Sequence, residues 1–303
     1  MNGSYALEAL DSERRWMKRS ELVDCSLAVL VGWVLPLVLD RYIPPRVTAV
    51  ALEDPSIQLP KRAELVPAPL LLLFAYVAPV GLLWWQQQQQ QQQRLRESFG
   101  NGFRSKGGTL LDLLTGVIEA NGLTLLATVV LKLLIGKPRP YFAQVCGQYL
   151  DPVLRHECAG DPWQVREARK SFPSGHAALA FSGVMHWQCC IWYLGIPLPW
   201  FEALPSVTMV HLLLRLLPWT GATLIAASRV LDHHHDVVDV LGGAVLGCAL
   251  SHLVTTNRFL RLEGRVPGHQ CTASTAGARR TASASEMEAI QVSETTSIPD
   301  AVV

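Results

Sequence analysis

The chain has 303 residues, with 26 Lys and Arg against 25 Asp and Glu and a formal net charge of +1. Half of the residues are hydrophobic and 17% are charged, whereas an average soluble protein has about 25% charged residues. This composition excludes a chain that is disordered over most of its length. The near-zero net charge argues against nucleic acid as a partner attracted by bulk electrostatics.

Long stretches without charge predict transmembrane helices. Residues 65–85, 176–201 and 240–257 contain no Asp, Glu, Lys or Arg, and about 20 apolar residues suffice to cross a bilayer. Three other apolar stretches are shorter or contain one charge. We therefore predict an all-α integral membrane protein, a bundle of six transmembrane helices, rather than a soluble helical protein. The predicted spans are about 22–40, 65–85, 112–132, 176–195, 208–228 and 237–257.

The remaining segments predict the topology. Residues 21–257 form the predicted membrane domain, after a cytosolic N-terminal segment at 1–20 with four Lys and Arg just before the first span. We expect 86–109, which includes the glutamine run Gln86–Gln93, to be a cytosolic loop, and 258–303 to be a cytosolic and largely disordered tail. Residues 137–170, on the opposite side of the membrane, also carry six Lys and Arg. Because Lys and Arg are usually concentrated on the cytosolic side, this count favours the reverse orientation.

Two short motifs follow the third span and open the fourth. Lys132 and Arg139 are seven residues apart, and Pro138 and Pro140, which flank Arg139, indicate that the helix ends there. The two cations either anchor the helix to lipid headgroups or bind an anion. Ser174 and Gly175 precede a helix that starts at His176. Small residues at a helix N-terminus can bind an anion through hydroxyl and backbone N–H donors, or can simply form a turn and a cap.

A third motif runs from Ser228-Arg229 through three consecutive histidines to Asp239. His235 and Asp239 are four residues apart, so on a helix the carboxylate would hold one imidazole nitrogen and leave the other free as a nucleophile. The alternative is a metal site. Consecutive histidines on a helix point about 100° apart and cannot all reach one ion, so we predict no metal and no cofactor.

The order of the spans places the three motifs together. The end of span three, the start of span four, the end of span five and the start of span six all lie on one side of a six-helix membrane protein. This arrangement predicts one active site at one membrane face, built from cations, imidazoles and a carboxylate. Within the loops of that face, Cys146 and Cys158 are the two cysteines, and we predict a disulfide between them if the face is oxidising.

The motifs resemble the three signatures of the type-2 phosphatidate phosphatases, or lipid phosphate phosphatases, over roughly residues 25–257. The matching positions are Lys132, Arg139 and Pro140; Pro173, Ser174, Gly175 and His176; Ser228, Arg229, His235 and Asp239. The connector after Cys158 is similar to the branch that includes diacylglycerol pyrophosphate phosphatases.

The resemblance implies a metal-independent hydrolysis of phosphatidate, diacylglycerol pyrophosphate or related lipid phosphates. His235 would be the nucleophile that forms a phosphohistidine, Asp239 would orient it, and His176 would be the general acid and base. The implied phosphate-binding residues are Lys132, Arg139, Ser174, Gly175 and Arg229.

Other interpretations remain open at this point. They are an isoprenoid-pyrophosphate or sphingoid-phosphate phosphatase and a non-catalytic phospholipid-binding membrane protein. The expected partners are a lipid phosphate substrate and membrane lipids. Gly243 and Gly247 allow close helix packing inside the bundle or in a homo-oligomer. We expect the catalytic face to be luminal or extracellular, in the endoplasmic reticulum, the plasma membrane or another endomembrane.

Overall fold

The computed structural model describes residues 22–85, 88, 110–151, 153, 157–194 and 208–264. The predicted N-terminal segment 1–20, nearly all of the 86–109 loop and the tail beyond 264 lie outside the described residues. The predictions made for those three segments therefore stay predictions.

The described part of the chain consists of helices and connectors, without a strand. In chain order the helices are α1 Leu22–Tyr42, α2 Ala68–Trp85, α3 Leu110–Ile135, α4 Phe142–Cys146, α5 Pro162–Ala168, α6 Gly175–Leu194, α7 Thr208–Leu231 and α8 Val237–Gly264. Each of the six predicted spans falls on one of the six long helices. The last helix continues beyond the predicted end at 257 to Gly264.

Four of these helices, α1, α2, α3 and α8, are long and apolar enough to cross a membrane. The chain is therefore a multi-pass membrane protein. Helices α6 and α7, with 20 and 24 residues, are not among the four. Helix α6 carries several buried polar side chains, among them Ser182 and His186, and α7 contains Pro218. The buried polar side chains lower the mean hydropathy of α6.

Helix α6 lies at the centre of the bundle, where it packs against α2, α3 and α7. Its N-terminal half is rich in alanine, and Ala177, Ala178 and Ala180 are completely buried. Small side chains allow neighbouring helices to approach closely. Leu179 and Val184 of α6 join the hydrophobic cluster that α2 and α7 complete.

The two glycines predicted to permit close packing do so within the chain. A Cβ atom on Gly243 would lie 2.4 Å from the carbonyl oxygen of Ser174, and one on Gly247 would lie 2.1 Å from that of Ala178. Both distances are shorter than atoms tolerate, so any larger residue would push α8 away from α6. This contact fixes the start of α8 beside the start of α6, where two of the motifs lie.

Main-chain hydrogen bonds join the connectors at that end of the bundle. They run from the amide of Arg139 to the carbonyl of Ala168, from Ser171 to Lys137, and from Ser174 to Asp239, at 2.7, 2.9 and 2.9 Å respectively. The connectors after α3, before α6 and before α8 are therefore held as one layer. This layer positions the motif residues.

Candidate active site

The motif at the end of α3 is shaped by a glycine. Gly136 has a φ of +62°, and a Cβ there would meet the carbonyl oxygen of Arg46 at 1.8 Å. Only glycine fits this left-handed and crowded position, and it ends α3 just before Lys137. Lys132, in the last turn, donates a hydrogen bond to the carbonyl of Lys170 at 3.1 Å. Helix α3 ends at Ile135, ahead of Pro138 and Pro140, as the prolines predicted.

The motif at the start of α6 presents polar atoms that the protein itself leaves without partners. The Ser174 hydroxyl and the His176 Nε2 are buried and have no hydrogen-bond partner among the described residues. At Gly175 the nearest atom to an added Cβ is a methyl carbon of Thr128 at 3.8 Å. Packing therefore does not require glycine there, and the open space lies beside the helix N-terminus.

The histidine run forms a turn between α7 and α8. The amides of His234 and His235 both donate to the carbonyl of Arg229 at 3.1 Å, and His233 adopts a left-handed φ of 61°. The expectation that His235 and Asp239 share a helix is wrong in detail, because His235 precedes α8. The two side chains still approach, with 3.5 Å between His235 Nδ1 and Asp239 Oδ2.

The three imidazoles of the run face different partners. His233 Nδ1 contacts the carbonyl of Pro60 at 2.8 Å, and His234 Nδ1 contacts that of Asp232 at 3.1 Å, whereas His235 faces Asp239. Within the described residues, no group of three or more His, Cys, Asp or Glu side chains is arranged to hold a metal ion. The turn therefore directs the three imidazoles towards three different partners and not towards one common point.

Asp239 is the centre of a buried polar network, and two of its partners were not predicted. Lys137 Nζ lies 2.7 Å from Oδ1, and the Ser171 hydroxyl donates to Oδ2 at 2.5 Å. A charged partner and a hydroxyl together hold the carboxylate in one orientation, with its remaining lone pairs towards His235. Lys137 lies between Lys132 and Arg139 in sequence, but no spacing rule marks it.

The carboxylates of Asp236 and Asp239 also cap α8. The Asp239 amide donates to Asp236 Oδ1 at 2.9 Å, and the Asp236 amide donates to Asp239 Oδ2 at 3.2 Å. This reciprocal pattern is that of a capping box, with Asp in place of the usual Glu. The cap fixes the first turn of α8, and so it fixes Asp239 against His235.

His235 is electrically neutral at physiological pH. Burial is the largest cause and lowers the pKa of His235 to about 3, and the positive charges of Lys132 and Arg139 act in the same direction. The Asp239 carboxylate opposes these effects without overcoming them. Because a neutral imidazole has one nitrogen with a free electron pair, His235 has the state that a nucleophile needs.

Arg229 is almost completely buried and is held by two acidic residues. Its Nη2 donates to Glu64 Oε1 at 2.9 Å, and its Nη1 lies 3.5 Å from Asp232 Oδ2. Burial raises the pKa of Glu64, but the hydrogen bond and charge of Arg229 outweigh it and lower the pKa overall. Glu64 lies in the connector between α1 and α2 and carries no sequence signal that could have linked it to Arg229.

Other buried nitrogen atoms of the predicted site are unsatisfied within the protein. They are the Nε atoms of Arg139 and Arg229, in addition to the Ser174 hydroxyl and His176 Nε2. Buried polar groups nearly always have a partner, so a group of such atoms from separate motifs indicates a place for a polar ligand. Ser228 differs from the others, because its hydroxyl donates to the carbonyl of Ile225 in its own helix at 2.7 Å.

The connector between α3 and α6 is closed by a disulfide between Cys146 and Cys158. The main chain around it is also paired, since Leu150 donates to Glu157 and Ala159 donates to Gln148, each at 2.9 Å. The connector is thus pinned near its start, and its end continues through α5 to Ser171, which contacts Asp239. The disulfide was predicted from the position of the two cysteines.

The comparisons with known proteins agree with the motifs. Residues 112–262 match the family model described as PAP2 superfamily. The chain is 30% identical over 144 residues to a PA-phosphatase related-family protein of Dictyostelium discoideum, covering 48% of each chain. It is 33% identical over 144 residues to lipid phosphate phosphatase 2 of Arabidopsis thaliana, covering 46% of this chain and 45% of that one.

A further relative is diacylglycerol pyrophosphate phosphatase 1 of Saccharomyces cerevisiae, 29% identical over 140 residues, with 44% of this chain and 47% of that one covered. The matched part of this chain therefore spans less than half the length of these relatives. No solved structure matches significantly. Every predicted site residue lies within the family match, and through the domain at residues 112–262 the chain belongs to the PAP2 superfamily.

Proposed function

We propose that this protein is a lipid phosphate phosphatase that hydrolyses phosphatidate, diacylglycerol pyrophosphate or a related glycerolipid phosphate through a phosphohistidine. The observation that carries the proposal is the buried, neutral His235 facing Asp239 beside the cationic side chains of Lys132 and Arg139. The names of the relatives from Arabidopsis and yeast support a lipid phosphate as the substrate class.

In the first step, His235 attacks phosphorus through Nε2 while its Nδ1–H faces Asp239. The bond from phosphorus to the leaving oxygen breaks, and His176 donates a proton to that oxygen. Burial, followed by the charge of Arg229, lowers the pKa of His176 to about 4 without a ligand, so in the proposal the negative charge of the bound phosphate keeps His176 protonated for this step. In the second step, His176 takes a proton from water, and the resulting hydroxide attacks the phosphohistidine. Inorganic phosphate leaves, and both imidazoles return to their starting states.

The transferred phosphoryl group is stabilised by fixed positive charges. In the proposal, Lys132, Arg139 and Arg229 bind its oxygens, together with the Ser174 hydroxyl and the Gly175 amide. The unsatisfied Nε atoms of both arginines and the unpartnered Ser174 hydroxyl support these assignments. Since charge spreads over the phosphoryl oxygens during transfer, preorganised cations are the main source of rate acceleration. We propose that they make a divalent metal unnecessary.

The proposed topology has six spans, with α6 and α7 as the two that hydropathy alone does not select. Their 20 and 24 residues correspond to about 30 and 36 Å at 1.5 Å per residue, which is enough to cross a bilayer core. The Cys146–Cys158 disulfide supports a luminal or extracellular catalytic face, because disulfides persist in oxidising compartments.

The test is phosphate release from phosphatidate, diacylglycerol pyrophosphate and sphingosine phosphate by the purified full chain in detergent, with excess EDTA. We expect release from the two glycerolipids in EDTA and none from a His235→Ala variant. In a parallel assay without EDTA, we expect orthovanadate to inhibit the release. Release that requires Mg²⁺ would contradict the metal-independent mechanism. No release from any of the lipids by a folded protein would contradict the proposed function.

A further inference from the structure

A segment outside the family match lies against the first and the third motif. Residues 58–66, in the connector between α1 and α2, contact the motif residues and their neighbours. The amide of Leu59 donates to the carbonyl of Pro140 at 2.8 Å, the carbonyl of Pro60 contacts His233, and the amide of Leu65 donates to Asp232 at 2.9 Å. The 58–66 segment therefore borders the site that residues 112–262 build.

Glu64 is the member of this segment that reaches the proposed phosphate-binding residues. Its Oε1 accepts a hydrogen bond from Arg229 Nη2 at 2.9 Å and lies 3.7 Å from His234 Nε2. The Arg229 side chain is only 2% exposed, whereas that of Glu64 is 42% exposed. The ion pair thus joins a fixed buried cation to a carboxylate that can move into solvent.

A carboxylate and a phosphoryl group are equivalent ligands for a guanidinium. Both offer two negatively charged oxygens that accept parallel N–H donors. Arg229 has Nη2 on Glu64 and Nη1 near Asp232, with Nε unpartnered. A phosphoryl group that binds Arg229 through two nitrogens would have to use a nitrogen that an acidic side chain already contacts. Binding there would also place the negative phosphoryl group next to the negative carboxylate of Glu64.

We propose that Glu64 is an affinity-determining residue of the phosphate site, whose carboxylate occupies Arg229 until an incoming phosphoryl group displaces it. The proposal rests on the proposed function, because it takes Arg229 as a phosphate ligand. The partly exposed Glu64 is the ligand that yields. Asp232, which is buried and also holds the Leu65 amide, stays in place.

This competition lowers the affinity of the site for lipid phosphates and small anions alike, and what differs between them is how much affinity remains. Every phosphoryl ligand must displace Glu64, so every such ligand loses the same part of its affinity. A lipid phosphate has acyl chains whose burial offsets the loss, whereas inorganic phosphate has none. Glu64 therefore favours release of the phosphate product and prevents small anions from blocking the site.

The experiment compares Glu64→Gln with Glu53→Gln in the full chain in detergent. Glu53 is exposed and lies in the same connector, so it is the matched control. The probes are orthovanadate and inorganic phosphate, as inhibitors of phosphatidate hydrolysis and as ligands that raise the melting temperature. We expect both inhibition constants to fall by about tenfold in Glu64→Gln, because a like charge is removed from the anion site. The melting shift should grow in parallel.

The variant Glu64→Ala should show the same fall in the inhibition constants, and it replaces Glu64→Gln in the experiment if Glu64→Gln does not fold. Unchanged or weaker anion binding in a folded Glu64 variant would overturn the role of Glu64, as would failure of both variants to fold. In either case an active wild-type chain leaves the proposed function standing. A wild-type chain that neither hydrolyses phosphatidate nor binds orthovanadate would overturn the proposed function, and with it the role of Glu64.

Discussion

The two halves of the described chain contribute to the site in different ways. Residues 112–262 supply every side chain that we assign to the reaction, from helix ends and the connectors between them. The 58–66 segment supplies the contact of Glu64 with Arg229, two residues 165 positions apart. The reacting groups therefore follow short sequence patterns. The groups that hold or modulate them, Glu64 in this segment and Lys137 and Ser171 between the motifs, belong to no such pattern.

The largest effect should follow loss of the proposed nucleophile. We expect His235→Ala to lower kcat by about a thousandfold or more, since no other group in the turn faces Asp239. The measurement is phosphate release at saturating phosphatidate. His233→Asn is the control from the same run, because His233 contacts Pro60 of the 58–66 segment and asparagine tolerates its left-handed φ of 61°. Comparable losses in both variants would break the distinction between the two regions.

The next effect should follow loss of charge at Asp239. Asp239→Asn keeps the shape but no longer stabilises a positive His235, so we expect kcat to fall by about a hundredfold or more. Asp236→Asn is the control, because asparagine is an equally good helix cap. If Asp236→Asn is as slow as Asp239→Asn, then loss of a negative charge beside Lys137, and not loss of the carboxylate beside His235, explains the effect.

A stability effect should follow loss of the disulfide. Replacing both Cys146 and Cys158 with serine removes a cross-link between residues twelve apart, which stabilises by about 3 kcal/mol in the chain-entropy description. We expect a lower melting temperature, measured by a thermal unfolding assay in detergent, with Cys25→Ser as the control outside this connector. An unchanged melting temperature would show that main-chain pairing alone holds the connector.

A smaller effect should appear in the pH dependence of stability. The pKa of His235 is lowered to about 3 in the folded protein, below the value of about 6.5 in an unfolded chain. As pH falls below 6.5 the unfolded chain binds a proton there and the folded protein does not. At pH 5 this costs up to about 2 kcal/mol. His235→Asn, which does not titrate, should lose less stability between pH 7 and 5 than the wild type; an equal loss would contradict burial of a neutral His235.

The smallest effect should come from Lys137, which acts on the reaction through Asp239. Its Nζ lies 2.7 Å from Asp239 Oδ1, and its side chain is 31% exposed whereas that of Asp239 is fully buried, so water partly screens the charge of Lys137. We expect Lys137→Gln to lower kcat by less than about tenfold, with Lys61→Gln of the 58–66 segment as the control. A pH–rate profile distinguishes positioning from folding, since only a change at Asp239 moves it. A kcat equal to that of the wild type would remove this role.

Much of the fold and the reacting groups could be predicted from the sequence because both depend on local patterns. Three uncharged runs and three apolar stretches that are shorter or contain one charge predicted the spans, and the order of the spans predicted that Lys132, His176 and His235 lie at one end. Long-range partners could not be predicted. Nothing in the spacing links Glu64 to Arg229 or Ser171 to Asp239, because those contacts depend on how the connectors fold over the bundle.

The local geometry of the histidine run was also beyond the sequence. The spacing of His235 and Asp239 indicated a shared helix, yet the left-handed backbone at His233 ends α7 and Asp236 caps α8, so His235 precedes the helix. The contact between His235 and Asp239 survives because the capping box turns the carboxylate back towards the preceding residues. Asparagine, aspartate and histidine are the non-glycine residues enriched in such a backbone, but a run of three histidines does not indicate which of them adopts it.

In the proposed mechanism His235 carries the phosphoryl group, and trapping the phosphoenzyme tests this role. Purified protein is mixed with phosphatidate labelled in its phosphate and quenched in alkali, where phosphohistidine survives. His176→Ala should accumulate label because hydrolysis of the intermediate lacks its base, and mapping should place the label on His235. The His176→Ala, His235→Ala double variant should carry none. Label that persists in the double variant, or that maps to another residue, would contradict the account.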